Sequence, residues 1–256
     1  MSNDEQIRLW NEVNSDRWIR LRERMVRPLL PFGEAALAAL DPKPGEPALD
    51  VGCGMGETTV ALARRTGDAL GIDISEPFLR IARSEAAHGA RYLLADAQTH
   101  RFDQRFKLCF SRFGVMFFAD PVAAFANLRR ALDGRFAAVA WGPWQENDWA
   151  TLPAQVARRY LPVADPAPGP GPFAFGQPGS FERILREAGF RSVDVRRLDL
   201  PFPADAPQLL QVGPTAAFLR TANASDELRE RIGADLETAM QGRTLAATAW
   251  LATAEA

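Results

Sequence analysis

Ala48-Leu49-Asp50-Val51-Gly52-Cys53-Gly54-Met55-Gly56-Glu57-Thr58 runs from a short apolar segment through an acid into three glycines at every second position. Thr58-Thr59-Val60-Ala61-Leu62-Ala63-Arg64-Arg65 then continues with a helical pattern. A strand, a glycine turn and a helix in that order bring a ligand against bare backbone. Glycine accepts positive φ and carries no Cβ, and the first N–H groups of the helix have no partner within it. The dinucleotide fingerprint spaces its glycines as G-x-G-x-x-G. Here the spacing is Gly52-x-Gly54-x-Gly56, with Asp50 two residues before the first glycine. An anion at that place repels a pyrophosphate and attracts an ammonium, so the turn points to a ligand with an amino-acid end.

The rhythm repeats downstream. Residues 68–75 read as a second short strand ending in Asp73, and in this topology a carboxylate there reaches the two hydroxyls of a bound ribose. Ser75 suits the cap of a helix over 76–87, with Pro77 in its first turn. A third strand over 90–95 ends in Asp96-Ala97. Asp50, Asp73 and Asp96 therefore fall in step at the carboxyl edge of a parallel sheet, where open α/β folds bind their ligands. A fourth strand over 106–111 leads into Arg112-Phe113-Gly114-Val115-Met116-Phe117-Phe118. Asp120-Pro121 opens a helix to Leu132, and Gly134 turns the chain into a fifth strand over 136–141. This alternation requires a doubly wound parallel sheet.

On the N-terminal side, residues 5–30 are expected to form one helix, with Ile7, Trp10, Asn14, Trp18, Leu21 and Met25 on one face. Pro28, Pro31 and Gly33 are expected to end it, and Glu34 to Leu40 to form a second helix. The stripe reads either as core packing or as a cap in which Trp10, Asn14 or Trp18 touches the ligand. Beyond Trp141 a helix ends near Leu161, and residues 162–178 are dense in proline and glycine, as in a lid or a disordered loop. Phe173 and Phe175 within that loop need somewhere to pack. Ser180 is expected to cap a helix over 181–188, strands are expected over 190–200 and 244–253, and helices over 205–241 with a break at Gly213-Pro214.

A chain of 256 residues, 47% of them apolar, suffices for one domain with a buried core. The polar, acidic start argues against a secretory signal and no run reaches the length of a membrane span, so a cytoplasmic protein is expected. A net charge of -2 gives no global field to draw in nucleic acid. The two cysteines, Cys53 and Cys109, form neither a C-x-x-C pair nor a metal spacing, so no metal is expected. The oligomeric state is not legible, and a homodimer is compatible with the sequence.

The chain resembles the class I S-adenosylmethionine-dependent methyltransferases, in the branch grouped with the ubiquinone/menaquinone-biosynthesis enzymes (methyltransferase types 11 and 25). Leu49 to Gly56, Gly71-Ile72-Asp73-Ile74-Ser75, Ala95-Asp96-Ala97 and Ser111 to Phe118 carry the resemblance. It implies one Rossmann-like domain with a seven-stranded sheet, mostly parallel, whose late antiparallel pair comes from 190–200 and 244–253. Residues 1–40 would form a helical cap, 46–142 the cofactor core, 143–179 a lid insertion, and 180–256 the last part of the sheet with the 205–241 helices inserted. The resemblance also implies S-adenosyl-L-methionine as cofactor. Asp50, Gly52, Cys53, Gly54, Gly56 and Thr58 would hold its methionine end, Asp73 the ribose, Ile74, Asp96 and Ala97 the adenine. Ser111 and Arg112 would line the pocket near the sulfonium. Two departures from the family pattern, Lys107 in place of an acid and Asp133-Gly134 in place of Pro-Gly-Gly, leave the cofactor turn untouched.

Trp10, Asn14, Trp18, Phe113, Met116, Phe117, Trp141 and Trp144 are the candidate substrate contacts, and Trp149 is a further aromatic candidate for the site. His100, four residues after Asp96, is the one weak candidate for a base, so catalysis is expected to rest on proximity. The favoured function is methyl transfer to a small, largely apolar molecule at O, C or N. A protein that binds the cofactor but has lost or redirected methyl transfer stays open, because fold does not fix function. A nucleic-acid or protein methyltransferase is disfavoured by charge and by the lack of an Asn/Asp-Pro-Pro-Tyr/Phe motif. A nicotinamide-dependent dehydrogenase is disfavoured by the glycine spacing.

Overall fold

The computed structural model describes residues 3–256; Met1 and Ser2 of the expected cap lie outside the described residues. The chain opens with α1 (Asn3–Arg8), a π-helical turn (Leu9–Val13), α2 (Ser15–Arg20) and α3 (Arg22–Leu40). The alternating part follows: β1 (Ala48–Val51), α4 (Glu57–Thr66), β2 (Ala69–Asp73), α5 (Glu76–Ser84), β3 (Ala90–Leu94), β4 (Phe106–Arg112), a 3-10 turn (Val115–Phe117), α6 (Pro121–Arg130) and β5 (Leu132–Trp141). The remainder is α7 (Asp148–Ala157), α8 (Ser180–Glu187), β6 (Arg191–Pro201), α9 (Ala206–Leu209), α10 (Gly213–Thr221), α11 (Asp226–Met240) and β7 (Ala246–Glu255).

The seven strands form one sheet in the order β3-β2-β1-β4-β5-β7-β6. Strands β1 to β5 are parallel, and β7 is antiparallel to both of its neighbours, as the resemblance implies. Strand order reverses at β1, between β2 and β4, which makes the edge above β1 the topological switch point where such sheets bind ligands. All four residues of β1 are buried, whereas β3 at the sheet edge is only half covered. Phe106, Phe110, Phe125, Phe136 and Phe181 are fully buried in the core. Among the described residues, no helix is long and apolar enough to cross a membrane.

The N-terminal region differs from expectation. Residues 5–30 are not one helix, because the chain kinks through the π turn and again at Leu21. The prolines do not end a helix either, since α3 continues through Pro28, Pro31 and Gly33 to Leu40. Pro28 removes an N–H and leaves the Arg24 carbonyl without its helical partner; Gln208 Nε2 donates to that carbonyl at 3.1 Å instead. Pro31 lies on the exposed side. Gly33 is an opening rather than a breaker, since a Cβ there would stand 2.9 Å from Arg112 Cδ.

Smaller corrections have equally local reasons. Helix α6 stops at Arg130 and β5 begins at Leu132, because Leu132 is already in register with Phe106. Ser180 does not cap α8: its hydroxyl donates to the Phe175 and Gln177 carbonyls at 3.0 and 2.6 Å, and Gly179 holds the cap position at φ 78°. Residues 162–179 contain no helix or strand, yet they are pinned at several points. Gly171 N–H donates to the Met116 carbonyl at 3.0 Å. Phe173 stacks on Trp149 with centroids 5.7 Å apart, and Phe175 packs on Phe181 at 4.8 Å.

Candidate active site

A cavity of about 230 Å³ lies over the carboxyl edge of the sheet. Its floor comes from the segments that leave β1, β2 and β4, together with Ala95–Ala97 just beyond β3. Residues of α1, α2 and α3 form one side, and Trp141, Trp149, Pro172, Phe202 and the α9–α10 region close the far end. The charged lining residues, Glu57, Asp73, Asp96 and Arg112, all belong to the sheet-edge part.

The glycine turn is fixed by the backbone. Gly52 and Cys53 N–H groups donate to the Ile72 carbonyl at 2.9 and 3.1 Å, which ties the turn to β2. Gly52 has φ +69°, and a Cβ there would lie 2.8 Å from Gly114 Cα, so the close approach of two backbones requires glycine. Gly54 N–H donates to Asp73 Oδ2 and Ser75 N–H to Asp73 Oδ1, both at 2.8 Å. Burial pushes the Asp73 carboxyl up, and the N–H donors of Gly54, Ser75 and Ile74 pull it back. Each of its oxygens keeps a lone pair for a further donor.

Asp96 accepts from Gln98 N–H at 2.9 Å and from the Asn3 side-chain amide. Asn3, Gln6 and Trp10 share one side of the N-terminal segment and all line the cavity. Gln6 is buried and its Oε1 has no partner among the described residues. Asn11 fastens this segment to the sheet edge: its amide donates to the Ile74 carbonyl at 2.8 Å and accepts from Glu76 N–H at 3.0 Å. Trp10 packs edge-on against Trp18 and Phe117.

Asp50 is where the sequence reading and the structure part. Its carboxylate is fully buried beneath the turn, off the cavity wall, with Oδ2 accepting from the Thr58 and Thr59 hydroxyls at 2.6 and 2.7 Å. Oδ1 has no partner among the described residues. Burial pushes this carboxyl up to about 6, against the pull of the two hydroxyls and of Arg112. The acid that reaches the wall is Glu57, the first residue of α4, where the helix dipole favours an anion. Arg22 Nε lies 2.6 Å from Glu57, and the same guanidinium pairs with Glu85, binding α3 to α4 and α5. Arg112 Nη2 stands 3.9 Å from Glu57 on the opposite side. An acid and a guanidinium on one wall complement a zwitterion, the charge pattern of an amino-acid end.

Of the sequence-predicted contacts, Gly52, Cys53, Gly54, Thr58, Asp73, Ile74, Asp96, Ala97, Arg112, Trp10, Trp18, Phe113, Met116, Phe117 and Trp141 line the cavity. Asp50, Gly56, Ser111, Asn14, Trp144 and His100 do not. Gly56 faces Tyr92, whose hydroxyl would meet an added Cβ at 2.5 Å. Ser111 is a buried strut, donating to the Val51 carbonyl at 2.8 Å and accepting from Gly114 N–H at 3.3 Å. Asn14 sits at the junction of the π turn and α2. Trp144 packs edge-on against Phe173, and His100 edge-on against Phe102. Sequence reasoning missed Asn3, Gln6, Glu57, Phe202 and Gln208. Gln6 was readable from its spacing with Trp10 and Glu57 from its place after the third glycine; nothing local marks Phe202 or Gln208.

Residues 48–134 match the family model described as a methyltransferase domain. Nocamycin O-methyltransferase of Saccharothrix syringae is 32% identical over 197 residues, covering 69% of this chain and 70% of that protein. Aklanonic acid methyltransferase DauC of Streptomyces sp. (strain C5) is 35% identical over 117 residues, 42% of this chain and 53% of that protein, so the match spans about half of its length. In fold, the chain is similar to phosphoethanolamine N-methyltransferase 2 of Haemonchus contortus, solved with phosphomonomethylethanolamine and S-adenosylhomocysteine. The TM-score is 0.55 at 19% identity, over 87% of this chain and 52% of that one.

Proposed function

Because this chain belongs to the class I S-adenosylmethionine-dependent methyltransferases, we propose that it methylates a small, largely apolar metabolite, with oxygen as the acceptor atom. One observation carries the reading. The cavity joins a polar grip at the sheet edge to an aromatic half, formed by Phe113, Trp141, Trp149 and Phe202 with Met25, Leu29, Leu209 and Val212, that among the described residues holds no charged side chain. The relatives named for nocamycin and aklanonic acid support a small acceptor, and the first of them supports oxygen.

S-adenosylmethionine supplies a methyl group on a positively charged sulfur. At the polar end, Asp73 would accept from the ribose hydroxyls and Asp96 from the purine amine. Glu57 and Arg112 take the ammonium and carboxylate of the amino-acid end. Asp50 acts from below, holding Thr58 and Thr59 so that the turn keeps its shape. The stacked pair Phe113–Trp141, with centroids 4.0 Å apart, forms a rigid face for the acceptor and keeps water away. Orientation of this kind supplies roughly 7–11 kcal/mol of a transfer barrier. Among the described residues no histidine, lysine or carboxylate lines the aromatic half, so as the O–CH3 bond forms and the S–CH3 bond breaks, the acceptor's proton passes to solvent water rather than to a side-chain base.

The test is direct. Calorimetric titration with S-adenosylhomocysteine is expected to give saturable heat, and incubation with S-adenosylmethionine and a panel of polycyclic phenols and acids to give a methylated product by mass spectrometry. Binding without any methylated product would favour the non-methylating alternative, and an RNA affinity that falls steeply with salt would move the acceptor to nucleic acid.

A further inference from the structure

Gln208 reaches the cavity from α9 and bonds to a helix 184 positions away in the chain. Its Nε2 donates to the carbonyl of Arg24, the group that Pro28 leaves unpaired in the middle of α3. The same nitrogen lies 3.6 Å from Met25 Sδ. An amide held by its nitrogen is no longer free to turn over, so the oxygen is fixed on the other side. Gln208 is only 3% exposed and lines the cavity, and among the described residues no donor reaches its Oε1. Leu29, Trp149, Phe202 and Leu209, which line the same cavity, offer no polar side chain except the indole N–H of Trp149, which is taken by Asn147 at 2.9 Å. Among the described residues, the side chains that line the aromatic half therefore include one oriented amide acceptor, that of Gln208.

We propose that Gln208 positions the methyl acceptor, its Oε1 receiving a hydrogen bond from an uncharged hydroxyl of the substrate. The inference rests on the reading of this half as the acceptor seat. It names the substrate class as a hydroxylated ring system. A hydrocarbon of the same shape leaves Oε1 buried and unpaired, and a carboxylate sets oxygen against oxygen, each at a loss of about tenfold to a hundredfold in affinity.

The experiment uses the whole protein saturated with S-adenosylhomocysteine and three probes on one ring system: 2-naphthol, its near-isostere 2-methylnaphthalene, and the anion 2-naphthoate. Ligand-observed NMR titration is expected to show 2-naphthol binding at least about tenfold more tightly than the other two. Gln208→Leu is expected to bring 2-naphthol and 2-methylnaphthalene within about threefold of each other, with affinity for S-adenosylhomocysteine unchanged. Pro28→Ala returns an N–H to the Arg24 carbonyl and frees Gln208. It is expected to weaken the preference while altering no atom of the cavity wall, and it carries the test alone should Gln208→Leu not fold. A preference that survives both variants overturns the proposal, and so does a wild-type protein that shows no preference or binds none of the probes. Either result with S-adenosylhomocysteine still bound leaves the methyltransferase reading standing; absence of S-adenosylhomocysteine binding removes that reading itself.

Discussion

At the sheet edge, the cavity wall comes from four short segments beside the carboxyl ends of β1 to β4, and its contacts are backbone N–H groups, glycines and half-buried carboxylates. At the aromatic end, the wall collects side chains from residues 25–29, 113–117, 141–149, 172 and 202–213, and its contacts are ring faces. One half is set by the covalent order of strand, turn and helix. The other is set by packing between segments that meet only in the folded chain. The difference predicts two kinds of fragility: single-atom changes should ruin the first, while the second should lose volume and selectivity by degrees.

The largest effect should come from Gly52→Ala. A methyl at φ +69°, within 2.8 Å of Gly114 Cα, forces two backbones apart, at about 5 kcal/mol. Loss of heat on titration with S-adenosylhomocysteine is the expected result; normal binding would mean that the turn tolerates a side chain and that backbone does not set this half. Next comes Trp149→Ala in the other half. Removing a buried indole that stacks on Phe173 and Phe202 should cost about 3–4 kcal/mol in thermal unfolding. Affinity for S-adenosylhomocysteine should stay within about threefold, since what is lost, ring packing and the indole N–H bond to Asn147, is no part of the sheet-edge half. If the cofactor affinity collapsed as well, the two halves would not be separable.

A smaller effect concerns Asp50. Burial holds its carboxyl up at about 6 rather than at the ordinary 3.8, so the folded protein keeps this proton more tightly than the unfolded chain does. The stability it contributes is complete below about pH 4 and is lost as pH rises through about 6, a decline on the order of 2–3 kcal/mol. Asp50→Asn cannot ionise, so the melting temperature of the variant should fall less across that interval than that of the wild type. Parallel curves would show that the carboxylate has a partner in solution that offsets its burial. The smallest effect is expected for His100→Ala. The imidazole lies off the cavity wall, so turnover should change by less than about threefold; a thousandfold loss would restore it as a base.

The contrast between the halves also explains what could be read from the residues. The glycine spacing and the acids at 50, 73 and 96 led to the sheet edge because each sits next to the strand that carries it. Even there, Asp50 and Ser111 were expected on the wall and lie beneath it, because spacing gives the position of a side chain along a strand but not which groups compete for it. Phe113, Trp141 and Trp149 were candidates only as aromatics, no different in sequence from Trp144, which packs outside the cavity. Pro28, Pro31 and Gly33 read as helix breakers because the partner of the freed carbonyl, Gln208, is remote.

What the sequence by itself determined was the alternating α/β order, the glycine turn and the placing of three carboxylates in one edge region, all consequences of local periodicity and of backbone conformations that few residues adopt. What only the tertiary structure decided was the continuous α3, the exchange of Asp50 for Glu57 on the wall, and the single oriented amide of Gln208 in the aromatic half. Each of these depends on a hydrogen bond or a desolvated contact between segments far apart in the chain, and the strength and direction of such contacts are fixed only when packing excludes water around them.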